Sequence, residues 1–225
     1  MNCIEKSLSF MTSLYFNMKV FPMKTALKLP VFVKYNIRCR GLRKGVIKIN
    51  APVSTGMIKI GAADGPEGIV TGKEKCSIIL GQSGQIIFDG TANLSNGTTI
   101  RCDGSGIVRF GNKFTCNANC LFASNTEIVF GEDCMLGWNV SVRDSDGHKL
   151  FNLDQPGVRA NNDVGINIGD HVWLSSYSDV LKGAKVSNNS VIGYRACVTK
   201  RFEESNCVIA GIPGKIVKHG VTWER

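Results

Sequence analysis

The chain has 225 residues, 43% of them hydrophobic, with mean hydropathy near zero, which suits one or two ordinary soluble domains. Its net charge of +9 is unevenly spread: residues 1–60 hold eleven of the 27 Lys/Arg but only Glu5 of the 18 Asp/Glu, so an N-terminal arm carries the charge and the rest is neutral. Nine cysteines could suggest a disulfide framework, but the chain is long, shows no cleavable signal sequence, and places Cys116, Cys120 and Cys134 at inward positions of the pattern described below, so they read as reduced core residues of a cytoplasmic protein.

Residues 5–18 set Leu8, Met11, Leu14, Tyr15 and Met18 at helical spacing and predict a short amphipathic helix. It is no transmembrane span, since twelve residues separate Lys6 from Lys19 and a bilayer requires ~20. Pro22 and Pro30 then punctuate a basic stretch through Lys34, Arg38, Arg40, Arg43 and Lys44, in which VFVKYNIRC alternates as a strand does. Residues 1–46 therefore read as an N-terminal helical and basic cap, able to blunt the edge of whatever follows or to meet an anionic membrane; no nucleic-acid-binding motif stands in it.

From about Ile47 strands begin, and apolar frames recur at Phe88, Leu94 and Ile100, at Phe110, Cys116 and Phe122, and at Phe130, Leu136 and Val142. Residues 168–203 state the period without a slip, with Ile168, Leu174, Val180, Val186, Ile192 and Val198 at every sixth position and mostly small residues four places on. A period of six is neither helical nor that of a simple strand. It predicts one short strand per repeat and three strands per triangular coil, about five complete coils in all, with stacked coils burying a core that no repeat buries alone. About twenty extra residues interrupt the pattern after Val142, so an excursion at about 143–167 leaves the solenoid, which runs from 47 to 205. Residues 206–225 form a tail with a turn at Gly211, Pro213 and Gly214.

The excursion opens with WNVSVRDSDGHKL and holds His148, one of three histidines. An imidazole with an ordinary pKa of ~6.5 takes a hydroxyl proton near neutral pH without tuning, and Asp144 and Asp146 lie close enough in sequence for one to orient the ring. His171 and His219 stand at an outward repeat position and in the tail, which makes neither a competing base. Their spacing from His148 also fits poorly with a zinc site, and Cys116 and Cys120 lack a second pair, so no metal is expected.

The strict hexapeptide repeat, the Asp-Ser-Asp-Gly-His loop and the VIAGIPGKIVK segment together resemble the hexapeptide-repeat acetyltransferases, in particular the sugar and polysaccharide O-acetyltransferases of capsule and O-antigen biosynthesis. The resemblance implies an all-β fold, a left-handed parallel β-helix, which is the rare exception to right-handed crossovers. It implies a homotrimer using acetyl-CoA, with His148 as catalytic base, Trp138 and Asn139 near the acceptor, Ser176, Thr199 and Lys200 along the pantetheine arm, and Lys215 and Lys218 near the CoA phosphates. Tyr194 and Arg195 depart from it, because the family has small residues at those places. Two other readings remain open at this level: acetylation of a small acceptor such as a nucleotide-sugar amine, amino acid or xenobiotic, and a non-catalytic solenoid scaffold.

Overall fold

A branched or aromatic side chain at every sixth position and a turn between repeats can be satisfied only if the chain winds, and the computed structural model, which describes residues 3–62 and 75–225, is a triangular parallel β-helix. Coil 1 is β1 (Val31–Val33), β2 (Arg38–Arg40) and β3 (Ile47–Ile49); coil 2 is β4 (Ile58–Ala62), β5 (Ser77–Leu80) and β6 (Gln85–Phe88). Coil 3 is β7 (Ala92–Ser95), β8 (Thr99–Cys102) and β9 (Ile107–Phe110); coil 4 is β10 (Phe114–Cys116), β11 (Leu121–Ser124) and β12 (Glu127–Phe130). Coil 5 is β13 (Met135–Leu136), β14 (Ser141–Arg143) and β15 (Ile166–Ile168); coil 6 is β16 (Trp173–Leu174), β17 (Asp179–Leu181) and β18 (Lys185–Val186). Coil 7 is β19 (Val191–Ile192), β20 (Cys197–Val198) and β21 (Arg201–Phe202), after which β22 (Cys207–Ala210) and antiparallel β23 (Lys215–His219) close the first face. The first, second and third strands of the coils stack into sheets A, B and C.

All five apolar frames are inward columns. In sheet A the register runs Val33, Ile60, Leu94, Cys116, Leu136, Leu174, Ile192 and Ile209, every one buried, so Cys116 stands where other coils use a branched aliphatic residue. Cys120 and Cys134 are buried as well, and burial pushes the Cys134 thiol up to about 12. Where coils 2 to 4 meet, Phe88, Phe110, Phe114, Phe122 and Phe130 fill the prism, with Phe110 stacked on Phe88 and Phe130 at ring-centroid distances of 5.3 and 5.8 Å. Glycine is required where coils touch backbone to backbone: a Cβ on Gly137 would lie 2.6 Å from the Ser176 nitrogen.

The solenoid begins earlier and holds more coils than its sequence pattern indicates. It starts at Val31 and not near Ile47, and seven coils stand where about five are predicted. Coil 1 escapes the pattern because its column residues Val33, Cys39 and Ile49 stand six and then ten residues apart, and one of its strands is Arg38-Cys39-Arg40; in coil 2, residues 63–74 separate Ile60 from Ile78 in the sequence. The cap proper is therefore α1 (Cys3–Val20) with α2 (Met23–Ala26).

The face that α1 packs is not the one that carries Leu8, Met11 and Tyr15. Ser13, Phe16, Asn17 and Val20 are buried, while Leu8, Met11 and Tyr15 are exposed. The reason is the open edge of β1, whose backbone groups need partners more than they need apolar cover. Asn17 donates to the Val31 carbonyl at 2.6 Å and accepts from the Val31 N–H at 3.2 Å. Ser13 Oγ accepts from the Val33 N–H at 2.9 Å, and Ser9 Oγ from the Tyr35 N–H at 3.1 Å. Side chains one helical turn apart thus stand in for the strand that a preceding coil would supply. Asn17→Leu is expected to destabilise the N-terminal coils by about 1–3 kcal/mol for each Val31 group left unpaired, read as a lower urea midpoint and earlier proteolysis there. No helix among the described residues is long and apolar enough to cross a membrane.

Candidate active site

The excursion leaves sheet B after Arg143 and enters sheet C at Ile166, so it stands on the corner between those two faces of coil 5. Asp144 sets its departure. Its carboxylate is fully buried and accepts from Ser124 Oγ at 2.7 Å, the Asn125 N–H at 2.7 Å, and the N–H and Oγ1 of Thr126 at 2.9 and 2.8 Å. A carboxylate enclosed by four donors of the preceding coil is a structural brace. Asn161 holds the returning strand, donating to Asp146 and to the His148 carbonyl, both at 2.8 Å, and accepting from the Leu150 N–H at 2.7 Å. Asp146 also pairs with Lys182 of coil 6, and these hydrogen bonds from Lys182 and Asn161 keep its carboxyl below the usual range. Arg159 and Asp163 pair at 2.6 Å across the base.

His148 itself is exposed, and its ring has no hydrogen-bond partner among the described residues. The ring makes no hydrogen bond to Asp144 or Asp146 among the described residues: the Asp144 carboxylate serves the loop base, and Asp146 Oδ2 accepts from Lys182 and Asn161. The loop presents the imidazole outward, next to a tip whose Leu150, Phe151, Leu153 and Val158 are also exposed.

Trp138 and Asn139 lie at the other edge of sheet B, on the corner with sheet A, with the three-residue strand β14 between them and the loop. The same corner carries Ser176 and Tyr177 one coil on, and Tyr194 and Arg195 one coil further. Coil-to-coil bonds fix the column: Ser176 Oγ accepts from the Trp138 N–H at 3.0 Å, Tyr177 N–H donates to the Trp138 carbonyl at 2.8 Å, and Arg195 N–H to the Ser176 carbonyl at 3.2 Å. Asn139, Tyr177 and Arg195 all take positive φ at the turn, which for the two bulky residues is a backbone conformation held by the stack. The guanidinium of Arg195 lies 5.5 and 5.6 Å from the Tyr177 and Tyr194 ring centres, so the two residues that depart from the family pattern form one exposed cluster with Tyr177.

At the C-terminal end the Gly211–Gly214 turn sits on β20. Gly211 accepts from the Cys197 N–H at 3.0 Å and the Gly214 N–H returns a bond to the Cys197 carbonyl at 2.7 Å, two residues before Thr199. Thr199 and Lys200 are exposed there, Lys200 Nζ standing 5.3 Å from the Phe202 ring, and Lys215 and Lys218 are exposed on β23. The outer face of sheet B over coils 5 to 7 is thus bordered by the His148 loop on one side, the Tyr177–Tyr194–Arg195 corner on the other, and the glycine turn at its end. No hydrogen bond within the described residues joins His148 to Trp138, Asn139 or Ser176.

The remaining histidines are engaged elsewhere. His171 is stacked on Trp223 at 4.1 Å, with Nδ1 2.7 Å from Asp133 and Nε2 3.0 Å from the Trp223 carbonyl, while Arg225 pairs with Asp133 at 2.9 Å. Burial raises the Asp133 carboxyl, but the bonds from His171 and Arg225 outweigh it and hold it below its ordinary value. This clamp straps the tail to the solenoid, and nothing in the spacing of VTWER announces it. Among the described residues no group of three or more His, Cys, Asp or Glu is arranged to hold a metal ion.

No protein-family model matches the chain. A polysialic acid O-acetyltransferase of Neisseria meningitidis is 40% identical over 109 residues, 48% of this chain and 50% of that protein. A putative acetyltransferase of Schizosaccharomyces pombe is 35% identical over 111 residues, 49% of this chain and 52% of that protein. The chain spans about half the length of these curated relatives. The solved structure of the polysialic-acid-specific acetyltransferase NeuO superposes over 87% of this chain and 79% of its own, with a TM-score of 0.53 and 24% identity, a likeness of fold. By its repeat, its coils and this likeness, the chain has the fold of a left-handed hexapeptide-repeat β-helix, and over about half its length its sequence is similar to acetyltransferases that include a polysialic acid O-acetyltransferase.

Proposed function

We propose that the protein is an O-acetyltransferase that moves an acetyl group from acetyl-CoA to a hydroxyl of a sugar or surface polysaccharide. The observation that carries this reading is His148: a ring without a partner, on a loop braced at Asp144 and Asn161, beside the sheet B face that ends in the GIPGK turn. In the proposed reaction the imidazole takes the proton of the acceptor hydroxyl as its oxygen bonds to the acetyl carbon. The carbon–sulfur bond then breaks and the imidazolium returns the proton to the departing CoA thiolate. No covalent enzyme intermediate is needed. Trp138 and Asn139 would meet the acceptor, Ser176, Thr199 and Lys200 the pantetheine arm, and Lys215 and Lys218 the phosphates.

The separation of His148 from the acceptor corner within one chain, and the exposed Leu150, Phe151, Leu153 and Val158, support a homotrimer in which each loop crosses to a neighbour and completes its site. The reading extends to a cytoplasmic enzyme held peripherally at an anionic membrane. Relatives that act on polysialic acid support a glycan acceptor. Millimolar acetyl-CoA is expected to raise the melting temperature by mass action, and thiol release in a panel of glycans, nucleotide sugars and small acceptors should be largest with glycans. Absence of both a thermal shift and thiol release would exclude the enzyme reading. A fully active monomer in light scattering would exclude the shared site.

A further inference from the structure

We infer that the N-terminal end of the solenoid docks on an anionic lipid bilayer, with α1 lying in the interface. Because α1 spends its Ser9, Ser13 and Asn17 stripe on the edge of β1, it takes the place of a preceding strand and its opposite side faces away along the solenoid axis. That outward side holds Ile4, Leu8, Met11 and Tyr15, spaced four, three and four residues apart on one helical face. Ile4 is 71% and Tyr15 64% exposed. Met23 at 56% and Leu27 at 67% add apolar surface from α2 and its C-terminus. Lys19, Lys24 and Lys28 are exposed on the same segment and have no acidic partner among the described residues.

The charge selects the occupant. Eleven basic residues against Glu5 over residues 1–60 favour an anionic surface, and two copies set end to end would bring like charges together. A nucleic acid would answer the lysines but leave the apolar stripe in water. A bilayer interface answers both, taking apolar side chains at the headgroup boundary and lysines at the lipid phosphates.

Docking in this way stands the solenoid axis upright. The His148 loop leaves coil 5, four coil steps of about 4.8 Å above coil 1, and α1 adds about 10 Å, so the imidazole sits roughly 30 Å from the interface. If the acetyltransferase reading holds, on which this step alone rests, the enzyme modifies distal sugars of a lipid-linked glycan and not those next to the lipid.

Co-sedimentation of the full chain with phosphatidylcholine vesicles, with and without phosphatidylglycerol, tests the inference. Binding is expected only to the anionic vesicles, and to fall at least tenfold in high salt and at least tenfold in the double variant Leu8→Ser, Met11→Ser. Both side chains are exposed, so the variant should keep its melting temperature and its activity on a soluble acceptor, which separates loss of docking from any failure of the reaction assignment. The inference is overturned if anionic vesicles do not bind at low salt, if the variant binds as well as the parent, if it changes the particle mass in light scattering and so marks a self-association face, or if a DNA duplex is bound more tightly than the vesicles.

Discussion

Replacing His148 by alanine is expected to lower turnover by at least ~100-fold, the loss typical for a positioned general base, with little change in melting temperature. The structure makes this a clean test of chemistry. Among the described residues the imidazole has no hydrogen bond to lose, and the bond from Asn161 to the His148 carbonyl survives in alanine. Turnover and circular dichroism on the same preparation decide it, and near-normal turnover in a folded variant removes His148 from the mechanism. Asp144→Asn should behave differently, because its carboxylate serves the loop base through Ser124, Asn125 and Thr126. Any loss of activity there should come with a loosened loop, seen as faster proteolysis between Arg143 and Ile166.

Phe110→Ala is expected to give the largest loss of stability of any single core truncation. The ring is fully buried, stacks on Phe88 and Phe130, and meets Phe114 and Phe122 at 4.6 and 5.2 Å. Truncation removes one wall from each of four neighbours in a prism whose coils are tied by backbone ladders and so cannot collapse around the cavity. A cost of about 3–5 kcal/mol follows, corresponding to a fall of about 10 °C in melting temperature for a chain of this size. Calorimetry measures it. Phe110→Leu should recover roughly half, and equal losses for the two variants would mean that ring stacking, and not filled volume, stabilises the site.

What the sequence determined by itself was whatever depends on period. One inward residue in six names the column, and Ile168, Leu174, Val180, Val186, Ile192 and Val198 are all buried because a strict repeat leaves only one way to bury them. The excursion was legible for the same reason, since an interruption of a period is visible without knowing where it goes. Coil 1 was not, because Val33, Cys39 and Ile49 stand six and then ten residues apart, which breaks the period.

Only the tertiary structure decided which polar groups meet. Asp144 and Asp146 are neighbours of His148 in sequence, yet desolvation gives Asp144 to the donors of coil 4, and Asp146 pairs with Lys182 from the turn after β17 in coil 6. The packed face of α1 was decided in the same way: helical spacing reports which residues share a side, but the unpaired edge of β1 selects the side carrying Ser9, Ser13 and Asn17. A period records what one coil repeats. An edge, a corner or a buried carboxylate is satisfied by whatever the fold brings within 3 Å, and that is distant in sequence.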